Sequence, residues 1–593
     1  MRSEASIVSD LSVLATGAIF VFGLLVLAIR LAQVQLVDAE KYAYDGGRQP
    51  MRTVQTAGPR GRIFARDGTM LADNRASVSI VVTPADFQRP TWTGTVLAIS
   101  NAIDAVSEAV GLPPSLTTNV IARHVRQELA RPLVVWRDVG DEAIARFSER
   151  EDDFPGFECI ETEERVYPEG RLAAHLLGYV GRGETVSLDG ERFNFRDKEM
   201  KGREGVEAFY DGYLRGSPGR MNVTVDARGF PVDEETLVEP RRGPDLVLTL
   251  DVGIQRAVER QLRGECGACA VLDPRDGSVL ALASAPGYDP NDFVPTLSRA
   301  LYARLSGDPL KPLLNRATAG TYAPGSTFKP VVALAGLSLG YPADRLVVCD
   351  GVFALGAMRL RCSSRWGHGE IDLRRALMKS CNPFFCGLGM DVGTNAVVRA
   401  ARALGLGRKT GIDLGADAAG VVPDGEWKQR VYGERWYPGD LAQMSIGQGM
   451  LLATPLQMAL VAGAIGTGYL VAPHLKRDVP PVRRPLPFLP KQLAVVREGM
   501  RMVVAGDGES RGTGWRGGEG VPVAVSGKTG TAEVGSGASR RKNTWFIAYA
   551  PSSAPRAAVA MVVENGESGG GTVAPRVAAV LREVFGAQSG GGE

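Results

Sequence analysis

A run of 19 uncharged, mostly apolar residues near the N-terminus, 11–29, restricts the fold of this chain more than any other feature. Asp10 and Arg30 bracket it, and its length suits the hydrocarbon core of a bilayer, which only a helix or a closed barrel can cross. A cleaved signal peptide usually has a shorter apolar region of about 7–15 residues. The sequence therefore predicts an uncleaved anchor over 11–34 with a tail, 1–10, before it. A buried helix and a long signal sequence remain as alternatives.

The charges beside this run leave its orientation open. Arg2 is offset by Glu4 and Asp10, whereas Arg30 lies on the far side of the run. We predict no second span, so nearly all of the mass should lie on one side of a membrane. The net charge of +2 gives no reason to expect nucleic acid as a partner.

The 593 residues allow several domains, because a single core seldom extends beyond about 250–300 residues. Residues 41–240 are polar, rich in arginine and glycine, and divided into short segments, with a strand predicted at Ser77–Thr83 and a helix at Val96–Val110. We find no catalytic cluster in them. They are predicted to form an elongated, non-catalytic pedestal of mixed α/β structure.

The sequence changes near residue 241, where apolar strand and helix patterns begin. A strand is predicted at Leu246–Leu250 and a helix at Val252–Leu262. Residues 268–284 then have the pattern of a hairpin that turns at Asp276 and Gly277. These elements predict the first part of a second sheet.

Two more strands of that sheet are predicted near the other end of the chain, at Thr544–Ala550 and Ala557–Val563. A mainly helical segment separates the two groups of strands. Residues 241–587 are therefore predicted to form an α/β domain whose sheet is built from both ends of its sequence. The Gly/Ser-rich tail, 588–593, is expected to be disordered.

The stretch 320–330 of this domain carries the strongest candidate for chemistry. Pro324 and Gly325 indicate a turn, and an apolar helix pattern follows, so Ser326 should lie at or just inside a helix N-terminus. Lys329, three positions later, faces the same side and can reach the serine hydroxyl, which needs a base to become nucleophilic. The helix N-terminus adds free N–H groups and positive potential, which suit an oxyanion.

This spacing alone is weak, because a helix cap with a surface lysine has the same pattern. A second copy, Ser539–Lys542, lies in a segment typical of a solvated loop. A polar triplet adds context: Ser380, Cys381 and Asn382 follow an amphipathic helical run and stop before Pro383. Short polar side chains at that helix end can point into a cleft.

A third polar triplet follows a strand pattern and is predicted on an edge of the sheet. It consists of Lys528, Thr529 and Gly530, with Thr531 after it. A similar triplet at 409–411 follows a helix away from any strand, and we reject it on that ground. Lys528 alone could serve to protect an edge strand from pairing. That interpretation does not explain why three triplets occur together.

The three triplets have the order and context of the penicillin-binding protein and serine β-lactamase superfamily. Three pedestal segments resemble the class B penicillin-binding proteins: 60–74, 165–170 and 202–207. Five later segments resemble the penicillin-binding protein 2 subfamily, its elongation-specific branch: 314–318, 366–369, 426–428, 436–440 and 446–449. The resemblance covers nearly the whole chain after the anchor.

The resemblance implies a single transmembrane helix, a pedestal similar to a dimerisation domain, and a transpeptidase domain whose antiparallel sheet carries a helical insert. It also implies an orientation in the cell inner membrane, with the N-terminus in the cytoplasm and the catalytic domain in the periplasm. The implied activity is D,D-transpeptidation of peptidoglycan stem peptides during cell elongation and rod-shape maintenance. β-Lactams would acylate the enzyme, and a carboxypeptidase side activity is compatible with this chemistry.

The family's roles, carried over to this sequence, give a mechanism. Ser326 would attack the carbonyl between the two terminal D-alanines and form an acyl-enzyme. Lys329 would act as the base, with its pKa depressed by burial and by the charge of Lys528. Ser380 would pass the proton to the leaving amine, and Asn382 would orient Lys329 and the substrate amide.

The third triplet would bind the substrate's terminal carboxylate through Lys528, Thr529 and Thr531, with Gly530 between them. The backbone N–H groups of Ser326 and Thr531 would form the oxyanion hole. The amine of a neighbouring stem peptide would then attack the acyl-enzyme and complete the cross-link. No organic cofactor is needed.

Cys349, Cys362, His368 and Cys381 lie within 33 residues of one another beside the triplet that contains Cys381. Three sulfurs and one imidazole are a common ligand set for structural zinc, although the spacing is not that of a standard zinc finger. Some members of the subfamily that this chain resembles have a metal site here, with carboxylates in place of some thiols. A Cys349–Cys362 disulfide and buried thiols remain as alternatives, and Asp350 is an alternative ligand to Cys349.

Several other functions share part of this pattern. A division-specific transpeptidase has a similar layout, a β-lactamase or β-lactam sensor shares the three triplets without explaining the pedestal, and an inactive scaffold would not require intact triplets. The chain shows no glycosyltransferase domain to make the glycan strands. The resemblance therefore implies a SEDS-type, RodA-like polymerase and other elongation-complex proteins as partners.

Overall fold

The computed structural model describes residues 4–38, 51–127, 132–182, 195–196, 200–225, 231–294, 296–535 and 541–586. Three features of the sequence prediction lie outside these residues: the first part of the pedestal, the tail at 588–593, and Ser539 of the second Ser-x-x-Lys copy. All twelve candidate site residues lie within them.

The apolar run near the N-terminus forms a helix, Glu4–Ala32, which continues as a π-helical turn, Gln33–Val37. Over Ser12–Val37 the mean hydropathy is 2.5, and none of this segment is buried against the rest of the protein. A helix of this length with an apolar surface on all sides suits a bilayer core. The predicted single-pass anchor is compatible with this helix.

In the described residues of the pedestal there are two main sheets and a small one. In spatial order, the first has strands Pro231–Val238, Gly219–Val225, Met51–Thr56 and Phe195–Arg196. The second has Leu246–Val247, Ile63–Phe64, Met70–Val82 and Leu133–Trp136, with Phe157–Val166 also paired to its longest strand. Val180–Arg182 pairs with Met200–Gly202. The strand predicted at Ser77–Thr83 is confirmed as the second half of Met70–Val82.

The helices of the pedestal are Trp92–Val110, Thr118–Gln127, Asp141–Ser148, Ala174–Leu177, Gly205–Phe209 and Asp211–Leu214, with 3-10 turns at Pro84–Phe87 and Glu151–Asp153. The helix predicted at 96–110 begins earlier because the Thr91 side chain accepts a hydrogen bond from the Gly94 N–H. It ends at Gly111, which has a φ of 74°. Its apolar face packs on the second sheet.

A buried ion network joins the three pedestal segments that resemble class B proteins. The fully buried Glu207 carboxylate accepts hydrogen bonds from Arg60 Nε and Arg165 Nε, both at 2.7 Å. Arg60 also donates to Asp211 at 2.8 Å. Buried charges are tolerated only when they are paired in this way, so the three segments have a shared structural reason to occur together.

The second domain is organised around a five-stranded antiparallel sheet. In spatial order its strands are Val279–Ala285, Gly267–Leu272, Ala557–Glu564, Arg541–Ala550 and Ser526–Val534. Leu272 pairs with Val279 across the predicted hairpin, and strands from the two ends of the domain's sequence lie side by side. The predicted sheet is confirmed, and Ser526–Val534 lies on its edge as expected.

One predicted strand is shorter than the sequence pattern indicates. Only Leu246–Val247 forms a strand, and it pairs in parallel with Ile63–Phe64 of the pedestal. The Thr249 N–H bonds instead to the Leu475 carbonyl, because the chain turns there toward the helix Val252–Leu262. The alternation of apolar residues over Leu246–Leu250 did not reveal that the hydrogen-bond partner changes from Phe64 to Leu475.

Helices cover both faces of the sheet. Val252–Leu262 and the C-terminal helix Ala574–Gly586 pack on one face, and Pro455–Thr467 packs on the other. The helices of the insert are Arg299–Gly307, Lys329–Ser338, Leu373–Lys379, Asn382–Val392, Thr394–Ala403, Gly425–Tyr432, Pro438–Ser445, Pro455–Thr467 and Pro490–Ala505. Shorter helical turns are Pro290–Phe293, Gly325–Phe328, Trp515–Gly518 and Gly569–Val573.

Three two-stranded sheets complete the described part of the domain. They pair Val347–Cys349 with Gly369–Ile371, Val352–Leu355 with Met358–Arg361, and Tyr469–Val471 with Arg483–Pro485. The first two of these sheets contain or adjoin the predicted zinc ligands, and the strands of the second lie between those of the first in the chain. The predicted helical insert is confirmed.

Candidate active site

The predicted nucleophile lies in a 3-10 turn, Gly325–Phe328, that leads directly into the helix Lys329–Ser338. Gly325 has a φ of 55°, and its N–H donates to the Gly447 carbonyl at 2.8 Å. The described residues provide no hydrogen-bond partner for the Ser326 hydroxyl, which is half-buried. The turn and the helix that follows it confirm the prediction that Ser326 lies at a helix N-terminus.

Lys329 is fully buried and points toward the second polar triplet. Its Nζ donates to the Ser380 carbonyl at 2.7 Å and to Asn382 Oδ1 at 2.6 Å, and lies 3.3 Å from Ser380 Oγ. Burial lowers the pKa of Lys329 to about 8, although nearby thiols oppose this shift. A neutral lysine is therefore accessible close to physiological pH.

Ser380 has a left-handed backbone conformation, with a φ of 56°, at the end of the helix Leu373–Lys379. This conformation costs a residue other than glycine about 1–3 kcal/mol, and such strain is concentrated at functional sites. Here it places the Ser380 hydroxyl between two amines, because Lys528 Nζ lies 2.9 Å from the same oxygen. The hydroxyl can accept a proton from one lysine and donate one to the other.

Lys528 is also fully buried, on the edge strand of the sheet. Its Nζ donates to the Thr529 carbonyl at 2.9 Å as well as to Ser380. Burial and the charge of Lys329 lower the pKa of Lys528 well below its ordinary value. Within the described chain no carboxylate pairs with either lysine. The effect between the two amines is one-sided: the charge of Lys329 lowers the pKa of Lys528, whereas the lowered pKa of Lys329 comes from burial alone and not, as the sequence predicted, from the charge of Lys528.

The edge strand passes close to the nucleophile turn. A Cβ added to Gly530 would lie 2.8 Å from the Pro324 carbonyl oxygen and 2.9 Å from Thr327 Cγ2, so only glycine fits there. The Thr531 carbonyl accepts a hydrogen bond from Gln448 Nε2 at 3.4 Å, and Thr529 Oγ1 donates to Thr513 Oγ1 at 3.0 Å. The three triplets predicted from the sequence therefore converge on one cleft.

The rejected triplet at 409–411 lies elsewhere, in a loop. Thr410 Oγ1 donates to Asp417 Oδ1 at 3.1 Å, and the Gly411 N–H donates to Asp417 Oδ2 at 2.8 Å. These contacts hold the loop to itself. The absence of a strand at 409–411, on which the sequence analysis rejected this triplet, is confirmed.

Two residues of the site were missed. Thr513 lies in a loop after the helix Pro490–Ala505, and no spacing or motif in the sequence marks it. Gln448 belongs to the segment 446–449, whose resemblance to the subfamily was noted without a role being assigned. That resemblance was the only signal available for it.

Replacing Gly447 by alanine is expected to lower acylation at Ser326 at least about tenfold, because the added Cβ would lie 1.9 Å from the Gly325 carbonyl oxygen and displace the nucleophile turn. Gly433→Ala is the matched control. Both glycines have similar positive φ values, 73° and 71°, but Gly433 has nothing within 4 Å of the added atom. The rate of labelling by a fluorescent penicillin measures the effect. Equal rates for the two variants would contradict this account.

The four predicted zinc ligands also come together. Their ligand atoms all lie within 4.8 Å of one another. His368 Nδ1 is 3.7 Å from Cys349 Sγ and 3.5 Å from Cys362 Sγ, and the Sγ atoms of Cys362 and Cys381 are 4.0 Å apart. Ligand atoms about 2.0–2.3 Å from a tetrahedral metal are about 3.3–3.8 Å from one another. The two distances from His368 lie in this range, whereas the Cys362–Cys381 distance of 4.0 Å is slightly longer, so the four groups fit Zn²⁺ after a small contraction of the cluster.

Two features favour this ligand set. The hydrogen bond between the two thiols lowers the pKa of Cys362 and raises the pKa of Cys381, so without a metal Cys362 is the member of this pair that is ready to bind as the thiolate. All seven cysteines are free in the structure. Asp350, the alternative ligand, instead accepts a hydrogen bond from the Val352 N–H at 3.2 Å.

The cysteine and histidine cluster is joined to the catalytic cleft through the chain itself. Cys381 lies between Ser380 and Asn382, and Asn382 Nδ2 donates to the Arg361 carbonyl at 2.8 Å, next to Cys362. A change in the cluster would therefore move the residues that contact Lys329.

Comparison with known proteins identifies two families along the chain. Residues 55–248 match the penicillin-binding protein dimerisation domain, and residues 267–583 match the penicillin-binding protein transpeptidase domain. The peptidoglycan D,D-transpeptidase MrdA of Escherichia coli K12 is 32% identical over 592 residues, which cover 94% of this chain and 91% of that protein.

Solved structures give the same result for the fold. A complex between a penicillin-binding protein, PBP2, and MreC from Helicobacter pylori has a TM-score of 0.78 and 26% identity, covering 91% of this chain and all of that one. A structure described as the structural coordination of polymerization and crosslinking by a peptidoglycan synthase complex has a TM-score of 0.71 and 29% identity. It covers 97% of this chain and 98% of that one.

Proposed function

Because this chain belongs to the class B penicillin-binding proteins, it is a serine-type peptidoglycan D,D-transpeptidase of the elongation type, and we propose here how its residues divide the chemistry. The division-specific alternative is not favoured, because the similar proteins that are at least 30% identical include MrdA transpeptidases of several species and the similar structures include PBP2. The observation that carries the assignment of roles is the convergence of two buried lysines on Ser380 Oγ beside the nucleophile turn.

Acylation begins with a neutral Lys329. This amine takes the proton from Ser326 Oγ, which attacks the carbonyl carbon between the two terminal D-alanines of the donor peptide. The developing oxyanion is stabilised by the backbone N–H groups of Ser326 and Thr531, on the nucleophile turn and the edge strand. Lys528 and the hydroxyls of Thr529 and Thr531 hold the terminal carboxylate.

The proton then moves from Lys329 to the leaving amine through Ser380 Oγ, which lies 3.3 Å from one lysine amine and 2.9 Å from the other. The last D-alanine leaves, and the remaining peptide stays bound to Ser326 as an ester. An amine of a neighbouring stem peptide attacks this ester, loses its proton along the same path in reverse, and forms the cross-link. Asn382 keeps Lys329 in position throughout.

The rate of acylation is expected to rise about tenfold per pH unit below pH 8 and to level off above it. Only neutral Lys329 can accept the serine proton, and its lowered pKa of about 8 leaves roughly a tenth of the amines neutral at pH 7. Penicillin-labelling rates from pH 6 to 9.5 measure this profile. A profile that is flat below pH 8, or that rises only near the ordinary lysine pKa of 10.5, would contradict Lys329 as the base.

We also propose that Cys349, Cys362, His368 and Cys381 bind a structural Zn²⁺. The proposal is supported by the ligand chemistry and by the separations of the ligand atoms. A bound zinc would supply a rigid tetrahedral centre and no chemistry in acyl transfer, since all four ligand positions are filled by protein groups. Its role would be to keep Cys381, and with it the adjacent serine and asparagine, in one conformation.

We further propose that the N-terminal helix anchors the protein in the inner membrane with the catalytic domain in the periplasm, where stem peptides are cross-linked. The partner is a SEDS-type, RodA-like polymerase, together with other proteins of the elongation complex. The solved complexes of similar chains, one with MreC and one described as a peptidoglycan synthase complex, support a partner of this kind.

The activity is tested by reconstituting the full-length protein with a SEDS-type polymerase and lipid-linked pentapeptide precursor. We expect cross-linked glycan in which penicillin removes the cross-links and leaves polymerisation intact. Polymer without cross-links, unchanged by penicillin, would mean that the chain acts as a scaffold.

A further inference from the structure

A cavity of about 310 Å³ lies beside the catalytic cleft and has no role in the mechanism above. The helices Gly425–Tyr432 and Pro438–Ser445 form two of its walls, and Gly449 and Met450 form a third. Three of the side chains that line it are charged, Lys428, Glu434 and Asp440, whereas an empty cavity in a protein core is usually apolar.

A buried lysine is one of the lining residues. The side chain of Lys428 is 7% exposed, and its Nζ lies 2.8 Å from Asp440 Oδ2 and 3.3 Å from Glu434 Oε2. Trp436 also lines the cavity, and its indole N–H is buried without an acceptor among the described residues. The cavity therefore offers two carboxylates, one ammonium and one unused N–H donor.

The cavity is close to the reacting groups. Gly449 follows Gly447 by two residues, so their Cα atoms are at most about 7.6 Å apart. The Gly447 carbonyl accepts a hydrogen bond from the Gly325 N–H, and Gln448 contacts the Thr531 carbonyl. A single loop thus separates the cavity from both the nucleophile turn and the edge strand.

The mixture of charges restricts the ligand. A purely anionic group would face the carboxylates of Glu434 and Asp440, and an apolar group would leave the buried indole N–H of Trp436 without an acceptor. A group that carries an ammonium and a carboxylate on one carbon matches all four, with its ammonium toward the acids and its carboxylate toward the lysine and the indole N–H.

We propose that this cavity binds the zwitterionic end of the diamino acid side chain of the donor stem peptide, the one that acylates Ser326. This inference rests on the proposed roles of the catalytic residues. Such an end is present when the third residue of the stem is a diamino dicarboxylic acid and absent when it is lysine. The cavity would therefore select the stem peptide by its third residue.

Binding of this kind has a chemical consequence for the acyl-enzyme. The donor's own free amine, held against Glu434 and Asp440, stays protonated, because nearby carboxylates favour the charged form. A protonated amine cannot attack the ester on Ser326. The ester is then left for the amine of the neighbouring stem, and self-attack by the donor is suppressed.

The test uses the full-length protein and two pentapeptides that differ only in the third residue, meso-diaminopimelate or lysine, as inhibitors of fluorescent-penicillin labelling. Wild type is expected to bind the diaminopimelate peptide about tenfold more tightly. Trp436→Phe and Glu434→Gln should each reduce this preference several-fold without changing the labelling rate. Glu426→Gln, an exposed change on the same helix outside the cavity, is the matched control and should keep the full preference.

Each alternative outcome overturns a separate claim. A wild-type protein that takes no penicillin label would refute the proposed catalytic roles. Normal labelling with no preference between the peptides, or with a preference unchanged in Trp436→Phe and Glu434→Gln, would refute the cavity as the binding site. Loss of labelling in step with loss of peptide binding would also refute it, because the cavity would then only support the loop at Gly447.

Discussion

Replacing Ser326 by alanine is expected to abolish both penicillin labelling and cross-linking, a loss of at least about 10⁴-fold. The change removes the only atom that forms the ester. It should leave the fold intact, because the Ser326 hydroxyl has no hydrogen-bond partner among the described residues and the turn is held by Gly325 and Thr327 backbone contacts. Labelling by a fluorescent penicillin, followed on a gel, measures the effect.

Ser539→Ala is the matched control for this experiment, because it alters the second Ser-x-x-Lys copy in the same chain. It should label as wild type does, and both variants should unfold at the wild-type temperature. Label remaining on Ser326→Ala, or lost with Ser539→Ala, would place the nucleophile elsewhere. Wild-type label that persists for many minutes would separate a transpeptidase from a β-lactamase.

The sequence predicted the members of this site better than it predicted their geometry. Ser326, Lys329 and Lys528 were recognised from short motifs, because each motif lies on a helix or strand whose pattern is local. The left-handed conformation of Ser380 was not predicted, since serine has no strong preference for it and the surrounding contacts impose it. Thr513 was missed because it approaches Thr529 only through tertiary folding.

The fold shows the same division between local and long-range information. The hairpin around Asp276 and Gly277 and the helix Val252–Leu262 were predicted with nearly the observed bounds. The strand predicted at Leu246–Leu250 ends early, because the Thr249 N–H bonds to Leu475, in a loop more than 200 residues later in the chain, while Leu248 and Leu250 still contact the pedestal. Alternation of apolar residues reports burial and does not identify the partner that causes it.

The cysteine and histidine cluster was predicted in part from the sequence and depends in part on long-range contacts. Its four members were named from composition and family resemblance, but the sequence could not show that the Arg361 carbonyl beside Cys362 accepts a hydrogen bond from Asn382. That contact links the strand Met358–Arg361 to Asn382, whose Oδ1 accepts a hydrogen bond from Lys329. The proposed zinc would therefore act on catalysis through position alone.

Replacing Cys362 by alanine is accordingly expected to remove stoichiometric zinc from the purified protein and to lower the rate of penicillin labelling by about 10–100-fold. Cys269→Ala is the matched control, because Cys269 is also buried but lies in the central sheet, outside the cluster. It should retain both zinc and labelling. Metal analysis and labelling rates together measure the effect, and the unfolding temperature reports the loss of the metal's contribution to stability.

The outcomes of this experiment separate three accounts of the cluster. Zinc lost together with labelling supports a structural metal that positions Ser380 and Asn382. Zinc lost with labelling unchanged would refute the positioning role, because the triplet would then hold its conformation without the metal. Wild-type protein that contains no stoichiometric zinc, with a mass two hydrogens below that of the reduced chain, would replace the metal by a disulfide between two of the thiols.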